Sequence, residues 1–413
     1  MVSDLLNGIL RLVCRLRQDT RATVAVTFGV VLLPVAMATG AAIDYSRASH
    51  HRTAMQAALD AGLLAGAKDG TSSWKKVALD VFQANLGSLH GSVSTPSFSL
   101  TSADTYSGSV VGAVETAVLG IIHIPSIDVG AKAKVARHDY GAGCVLALNP
   151  SAKAAGLTVG TADVVLESCS LYDNSNNTTA LSLEGGSHIS ALSVGVVGGI
   201  SGQSNITTTK GVRTDIAPVK DPYAGVSFPP PGGCDYNNFK APKNGTLSPG
   251  VYCNGMTFDG KANVTLNPGI YYVDRGSFYV AGGTTLKGTD VTLVFTSSTG
   301  SNWPTVTIQG GANIDLTAPT TGPLAGIVFF GDRKMSSSTL FRFAGGSSQY
   351  FGGSVYVPAG KVEFAGGTST KTGCTKLIAD TISFIGNTNL SLNCAGFGNG
   401  DRKIVANVLR LAE

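Results

Sequence analysis

Residues 247–272 read LSPGVYCNGMTFDGKANVTLNPGIYY, and this stretch contains one short pattern twice. Leu247-Ser-Pro-Gly-Val-Tyr-Cys253 returns 19 residues later as Leu266-Asn-Pro-Gly-Ile-Tyr-Tyr272. A repeat of about 20 residues is typical of proteins in which successive coils of short strands stack on one another. The pattern therefore predicts stacked β-coils in the part of the chain that contains it.

The repeat extends over residues 141–413. A short apolar strand, a glycine turn and another strand recur there, so that alternate apolar residues would fill the interior while Gly and Asn turn the corners. We expect an all-β domain, a right-handed parallel β-solenoid; a β-sandwich with coincidental Gly-Gly hairpins is the alternative. The Pro-rich residues 217–249 are expected to form an excursion from the repeats. Copies of the pattern begin at Leu157, Leu181, Met256, Phe278, Val306, Phe341, Val362 and Ile382.

The cysteine spacings support stacked coils independently. Residues one coil apart lie about 4.8 Å from each other, within the Cα range that a disulfide tolerates. Two of the bridges are expected near the ends of the repeat region, where a coil has only one neighbour. No cysteine forms a CxxC motif or lies at ligand spacing from a histidine, so a zinc site is not expected. The predicted disulfides are Cys144–Cys169, Cys234–Cys253 and Cys374–Cys394, with Cys14 free.

The N-terminal part of the chain predicts a single membrane-spanning helix. Ala22–Ile43 contains no charged residue, and a helix of this length covers roughly 33 Å, enough for the hydrocarbon core of a bilayer. Four arginines precede the stretch and Asp44 follows it, so the positive-inside rule keeps the basic segment 1–21 in the cytoplasm. The bulk of the chain would then lie on the outer side of the cytoplasmic (inner) membrane, periplasmic or extracellular. A secretory signal cleaved near Ala36–Ala42 is the alternative.

Residues 44–140 are predicted to form a small α+β domain next to the membrane. Apolar residues at helical spacing continue the anchor helix and include the Ala- and Gly-rich stripe Ala57–Ala67. A second helix is expected at about Trp74–Leu89, and alternation from Ser92 onward predicts strands. Small side chains permit close helix approach, so the stripe and Asp44 are candidate contacts with other anchors. Packing of the stripe against its own sheet is the alternative.

Three segments of this N-terminal region carry a family resemblance. They are RATVAVTFGVVLLPVAMATGAAIDYSRA from Arg21, MQAALDAGLLAGA from Met55 and YSGSVVGAVETAVLGIIHIPSIDVGAKAKV from Tyr106. Together they resemble the N-terminal module of TadG-like proteins of the tight-adherence (Flp) pilus machinery. The resemblance implies a pilin-like, membrane-proximal domain and a role in building a pilus or a related envelope apparatus.

The sequence offers little for catalysis. It contains no GxSxG, HExxH or Walker lysine loop, and His188 follows a Gly-Gly pair and is interpreted as a turn residue. Asp173–Glu184 resembles a calcium loop without its central Gly and is interpreted as a polar turn. Glycosidase chemistry needs two carboxylates facing one bond, whereas the acids of the repeats occupy non-equivalent positions. The residues that a polysaccharide lyase would use are Asp259, Asp274, Arg275, Asp315, Asp332, Arg333 and Arg342.

Aromatic residues of the repeats are candidates for a glycan-binding face, although alternation places about half of them in a core. They are Tyr252, Tyr271, Tyr272, Phe329, Phe330, Tyr350, Phe351 and Tyr356.

These expectations describe a non-enzymatic, membrane-anchored structural or assembly component of a tight-adherence pilus or related envelope apparatus, without cofactor or metal. Its partners would be the membrane, other pilus or envelope proteins reached through the N-terminal helix, and surface glycans. Scattered basic residues and a net charge of only +4 argue against nucleic acid. The alternatives are an anchored adhesive or carbohydrate-binding β-helix and, more remotely, a membrane-tethered polysaccharide lyase.

Overall fold

The chain forms two compact units, each with its own core. The first unit contains Met1–His138 and Leu409–Glu413, and the second contains Asp139–Val408. The second unit is therefore an insertion between two segments of the first. The computed structural model describes residues 20–87, 93–102, 105–152, 157–160, 162–344, 349–365, 368–369, 373–385, 387–391 and 402–412.

Two α-helices precede the strands in the described residues. They are α1 (Thr20–Asp69) and α2 (Trp74–Leu86). Short 3₁₀ turns lie at Leu119–Ile122 and Gln203–Asn205. The strands, in chain order, are β1 (Ser97–Ser102), β2 (Thr105–Glu115), β3 (Ser126–Asp139), β4 (Gly143–Ala147), β5 (Leu157–Val159), β6 (Asp163–Glu167), β7 (Ser170–Asp173), β8 (Leu181–Leu183), β9 (His188–Ala191), β10 (Val194–Val196), β11 (Ile200–Ser201), β12 (Ile206–Thr208), β13 (Val212–Arg213), β14 (Tyr236–Lys240), β15 (Asn244–Leu247), β16 (Gly250–Phe258), β17 (Asn263–Leu266), β18 (Gly269–Asp274), β19 (Ser277–Val280), β20 (Thr285–Gly288), β21 (Val291–Thr296), β22 (Thr305–Ile308), β23 (Asn313–Thr317), β24 (Ile327–Gly331), β25 (Leu340–Ala344), β26 (Gln349–Ala365), β27 (Thr368–Ser369), β28 (Thr375–Phe384), β29 (Thr388–Ser391) and β30 (Asn407–Ala412).

In the first unit, α2 and an antiparallel sheet pack against the C-terminal half of α1. β1 pairs with β2 and β2 with β3, and β30 lies next to β3. Met55, Leu59 and Leu63 of α1 are buried because their helical spacing places them on one face. The first unit therefore combines helices with an antiparallel sheet.

The C-terminal strand β30 belongs to the first unit, although the repeat pattern assigned residues 141–413 to one domain. Leu409 packs against the apolar core of α1, β2 and β3. Alternating apolar residues look the same in a strand of an antiparallel sheet and in a repeat strand. The sequence pattern alone therefore could not separate the two.

Strands of the second unit pair in parallel with strands about one repeat further along the chain. Leu247 of β15 lies opposite Leu266 of β17, which lies opposite Gly288 of β20. Along β17, Val264 and Leu266 are buried, while Asn263 and Thr265 are exposed. Consecutive strands along the chain form a set, and each set pairs with the set of the next repeat. We call one such set a rung. Within the described residues, 21 strands join into one sheet in this way.

The order of the rungs in space differs from their order along the chain. β28 pairs in parallel with β4 and β5, and β29 with β6. Leu377, near the end of the unit, therefore lies opposite Val145, near its start. We call this contact the seam. Rungs formed by β4–β13 extend the stack on one side of the seam, and rungs formed by β14–β29 extend it on the other.

Residues 216–228, which we call the strap, run between the two outermost rungs and cover one outer face of the stack. Val219, Tyr223 and Val226 join a second apolar cluster on the side of the strands that faces away from the rung core. β4, β21 and β24 are consequently buried along their whole length. The predicted excursion over 217–249 is thus shorter than expected. Its second half contains β14 and β15, whose mostly exposed residues lack the apolar alternation of the other strands.

Candidate functional site

The N-terminal half of α1 presents a long apolar surface. Within the described residues, α1 is the one helix that is long and apolar enough to cross a membrane. A continuous exposed apolar surface of this kind marks an interaction site, because water solvates it poorly. The exposed fractions lie between 42% and 69% for Val24, Phe28, Val30, Val31, Leu32, Leu33, Val35, Met37 and Ile43.

Asp44 lies at the end of this apolar stretch and is buried. Its carboxylate accepts hydrogen bonds from the backbone N–H groups of Ala117, Val118 and Leu119, at 3.0, 2.9 and 2.9 Å. These donors hold the pKa of Asp44 below its usual value, and the Leu119 N–H has the largest effect. The Arg47 guanidinium, 3.9 Å away, acts in the same direction. Asp44 thus fixes the loop between β2 and β3 to α1.

Gly40 allows the same loop to approach the helix closely. A Cβ atom at residue 40 would overlap the side chain of Val118. In the sequence this glycine is one small residue of an apolar run, and only the structure shows that the loop needs it. Asp44, predicted as a contact with other anchors, instead binds the chain's own loop.

The small-residue stripe Ala57–Ala67 packs inside the first unit. Gly62 lies against Phe82, and Gly66 lies against Trp74, so closely that a Cβ at either glycine would clash with α2. Internal packing is therefore the correct alternative for this stripe, with α2 rather than the sheet as the main partner. Ala57 of the same stripe is exposed and Ala61 and Ala65 are half-buried, so contact of the stripe with other anchors stays a prediction.

An open groove in the same unit has a volume of about 1100 Å³ and lies between α1 and the β2–β3 hairpin. Its ionisable lining residues are divided between the two walls: Arg47 and His51 come from α1, and Glu115 and Asp128 come from the hairpin. This mixture gives the groove no strong preference for a cation or an anion.

Residues predicted for lyase chemistry form structural contacts. Asp274 pairs with Arg275 at 3.1 Å and accepts hydrogen bonds from the Ser298 N–H and hydroxyl. Arg342 pairs with Glu363 at 3.0 Å. These pairs lie on different rungs and hold turns and strands together. Asp274 lies opposite Thr296 of β21, and the Thr296 hydroxyl donates a hydrogen bond to Asp332 at 2.7 Å, so two of the predicted acids lie on neighbouring rungs and both are held by polar contacts there.

Arg333 holds the strap against the stack. It donates hydrogen bonds to the carbonyl oxygens of Tyr223 and Val226 and to the Tyr356 hydroxyl. The Tyr356 hydroxyl in turn donates to Asp221 at 2.8 Å. Burial raises the pKa of Tyr356, and the Asp221 carboxylate adds to that rise. This network has a structural role that the sequence pattern did not reveal.

His188 and Asp173 have structural surroundings as well. His188 begins β9 rather than lying in the turn before it, and its Nε2 lies 3.1 Å from the Thr207 hydroxyl. Asp173 is buried, whereas Glu184 is exposed. Asp173 and Glu184, the two ends of the segment that resembles a calcium loop, therefore have different environments and do not form one site.

The aromatic residues considered for a glycan-binding face are largely core residues. Tyr252 and Tyr271 stack at 6.0 Å between ring centroids, and Phe295 and Phe329 stack at 5.5 Å. Burial raises the pKa of Tyr271 to about 12. An exposed aromatic platform for sugars is thus not built from these residues. Those that are buried are Tyr252, Tyr271, Tyr272, Phe329, Phe330, Phe351 and Tyr356, while Tyr350 is half-buried.

Disulfides join neighbouring rungs. Cys144–Cys169 and Cys234–Cys253 are both formed, each with a Cα separation of 5.7 Å. Cys374 is also disulfide-bonded. Cys394 and Cys14 lie outside the described residues, so the pairing Cys374–Cys394 and a free Cys14 stay predictions. Cys234 and Cys253 lie close to Asp274, but sulfurs joined in a disulfide are not thiolate ligands for a metal.

The disulfides differ from expectation in their position along the stack. Cys144 and Cys374 belong to the two rungs that meet at the seam. Of the two bridges whose cysteines are both described, Cys234–Cys253 is the one at an end of the stack, where it ties the segment before β14 to β16. The expectation of two terminal bridges assumed that the rungs follow chain order in space, and they do not.

The described residues thus combine a helix that is long and apolar enough to cross a membrane with a packed α+β unit. Residues 23–69, which lie within α1, match the Tad family, described as putative Flp pilus-assembly TadE/G-like. The predicted resemblance to TadG-like proteins is therefore confirmed for this segment, and it indicates a role related to Flp pilus assembly. No curated protein and no solved structure matches the chain.

Proposed function

We propose that the chain is a non-enzymatic structural or assembly component of a tight-adherence (Flp) pilus or a related envelope apparatus. The observation that carries this proposal is the exposed apolar surface of α1 inside the segment that matches the Tad family. Residues 22–43 span the cytoplasmic membrane, with the basic segment 1–21 inside. The second unit then lies outside the cytoplasm, where its disulfides are stable.

The second unit is, in this proposal, a right-handed parallel β-solenoid. The parallel register from β15 to β17 to β20 supports this architecture, as does the alternation of buried and exposed residues along β17. The engagement of Asp274, Arg333 and Arg342 in structural contacts supports a non-enzymatic role. The solenoid would act as a rigid body that the anchor holds at the membrane surface.

Contact with other anchors is assigned to the exposed face of α1 over residues 24–43, since Gly62 and Gly66 of the stripe Ala57–Ala67 pack against α2. In a membrane, packing and small-residue contacts between apolar helices drive their association. Partner helices and lipid would therefore share this surface.

Site-specific photo-crosslinking in cells that assemble the pilus tests this assignment. A photoreactive residue at Val31 should crosslink to other single-span pilus proteins, while one at Lys287, exposed on β20, should not. A reporter fused after Glu413 should be active only outside the cytoplasm. A reporter active only in the cytosol would refute the anchor. Glycan binding without crosslinks at Val31 would favour an anchored adhesive β-helix instead.

A further inference from the structure

Isoleucines form an exposed apolar tip on the loop between β2 and β3. Ile121 is 73% exposed, Ile122 is 47% exposed and Ile124 is 44% exposed. The loop itself is well fixed, because its backbone binds Asp44 and its Val118 side chain packs on Gly40. A rigid loop that presents apolar side chains to the outside is typical of a surface that contacts another apolar phase.

The β2–β3 hairpin runs along α1 towards the apolar half of the helix. In the middle of the hairpin, Gln56 Nε2 donates a hydrogen bond to the Lys132 carbonyl at 2.8 Å. At the loop, the contact on α1 is Gly40. From residue 56 to residue 40 a helix advances by roughly 24 Å at 1.5 Å per residue. The tip of the hairpin therefore lies level with the last turn of the exposed apolar stretch.

We propose that the tip, residues 119–124, inserts its isoleucines into the interfacial layer of the bilayer that α1 spans. The proposal rests on the proposed function, since it requires α1 to be in the membrane. Ile43 of α1 is 55% exposed at the same level, so both the helix and the tip offer apolar side chains to lipid there. Apolar side chains reach about 5–10 Å into the boundary between headgroups and acyl chains. The first unit would then touch the membrane at two points.

Fluorescent labelling of the full chain reconstituted in liposomes, with no other protein present, tests the proposal. In a Cys14→Ser background, Ile121→Cys is labelled with the polarity-sensitive fluorophore NBD. Val111→Cys is the matched control, because Val111 is an apolar residue of β2 with 64% exposure. Leu32→Cys reports on the span itself. Ile124→Cys serves as a second reporter of the tip.

We expect NBD at Ile121 and Ile124 to emit at shorter wavelength than at Val111 and to be quenched by lipids with a nitroxide near the headgroups. Water-like emission at the tip, with Leu32 still quenched by deep nitroxides, would overturn the insertion and leave the anchor intact. Short-wavelength emission without lipid quenching would also overturn the insertion. It would indicate that a second copy of the chain, rather than lipid, covers the tip. Loss of quenching at Leu32 as well would refute the anchor and the insertion together.

Discussion

Asp173 is a buried acid whose ionisation the surrounding structure opposes. Its side chain has no exposed surface, and Oδ1 accepts the Ser175 N–H at 2.9 Å. Oδ2 has no hydrogen-bond partner among the described residues. Burial raises the pKa of Asp173 to about 7, and the Ser175 N–H opposes part of that rise. We predict that Asp173→Asn removes a pH-dependent loss of stability from the second unit.

The magnitude follows from the two protonation equilibria. The unfolded chain releases the Asp173 proton around the ordinary pKa of 3.8, whereas the folded unit keeps it until about pH 7. Between these values the folded state binds more protons, so its stability falls as the pH rises, by about 1.4 kcal/mol per pH unit. The complete loss is about 4 kcal/mol, reached above pH 7, where both states are ionised.

Urea unfolding of the full chain in detergent micelles measures this effect. Trp303 fluorescence reports on the second unit when Trp74→Phe is present in every variant. The difference in unfolding free energy between Asp173→Asn and the parent should grow from pH 4 to pH 7 and then level off. All other acids titrate identically in both proteins, so the difference isolates residue 173. A pH-independent difference in the free energy of unfolding is also expected, because the side-chain N–H₂ of Asn at residue 173 lacks a hydrogen-bond acceptor.

Asp259→Asn is the matched control, since Asp259 is exposed beside a turn. It shows what an Asp-to-Asn change does at a surface position of the same unit. If the Asp173→Asn and parent curves are parallel from pH 4 to pH 8, the buried acid is ionised in the folded state, and the reasoning from burial is refuted.

Three further changes test other contacts. Arg333→Met removes three hydrogen bonds and should cost about 1–3 kcal/mol in urea unfolding, whereas Arg342→Met, which breaks a half-exposed ion pair, should cost less than about 1 kcal/mol. Replacing Cys234 and Cys253 by Ser should cost about 3 kcal/mol and should accelerate hydrogen exchange in β14 and β15 without affecting the seam. Asp44→Asn should accelerate amide exchange at residues 117–119, and the parent should show the same change as the pH falls below 3.8 and the carboxylate is protonated.

The sequence predicted local features well because they depend on neighbouring residues. The repeat that starts at Leu247 gives the register between β15 and β17 directly. The spacing of Cys144 and Cys169 gives their bridge, since one repeat brings residues to disulfide distance. The uncharged run Ala22–Ile43 likewise gives the exposed apolar helix. In each case one short segment contains all the information that the prediction needs.

Long-range contacts were not predictable in the same way. Asp44 follows an apolar run, but nothing near it in the sequence indicates that residues 117–119 supply its hydrogen-bond donors. The choice of α2 as the partner of Gly62 depends on the packing of two separate helices. The seam is the extreme case, because every repeat has similar edges and the sequence does not specify which rung follows which.

The seam has a physical origin in the insertion of the second unit. β3 and β30 are neighbours in one sheet of the first unit, so the chain that leaves at residue 139 must return close by at residue 408. If the chain entered the stack at one end and left it at the other, residues 139 and 408 would be separated by about 4.8 Å for every rung. Starting in the middle avoids this separation, and Gly143 indeed pairs with Ile404. The chain must then cross from one end of the stack to the other, which is the path that the strap follows.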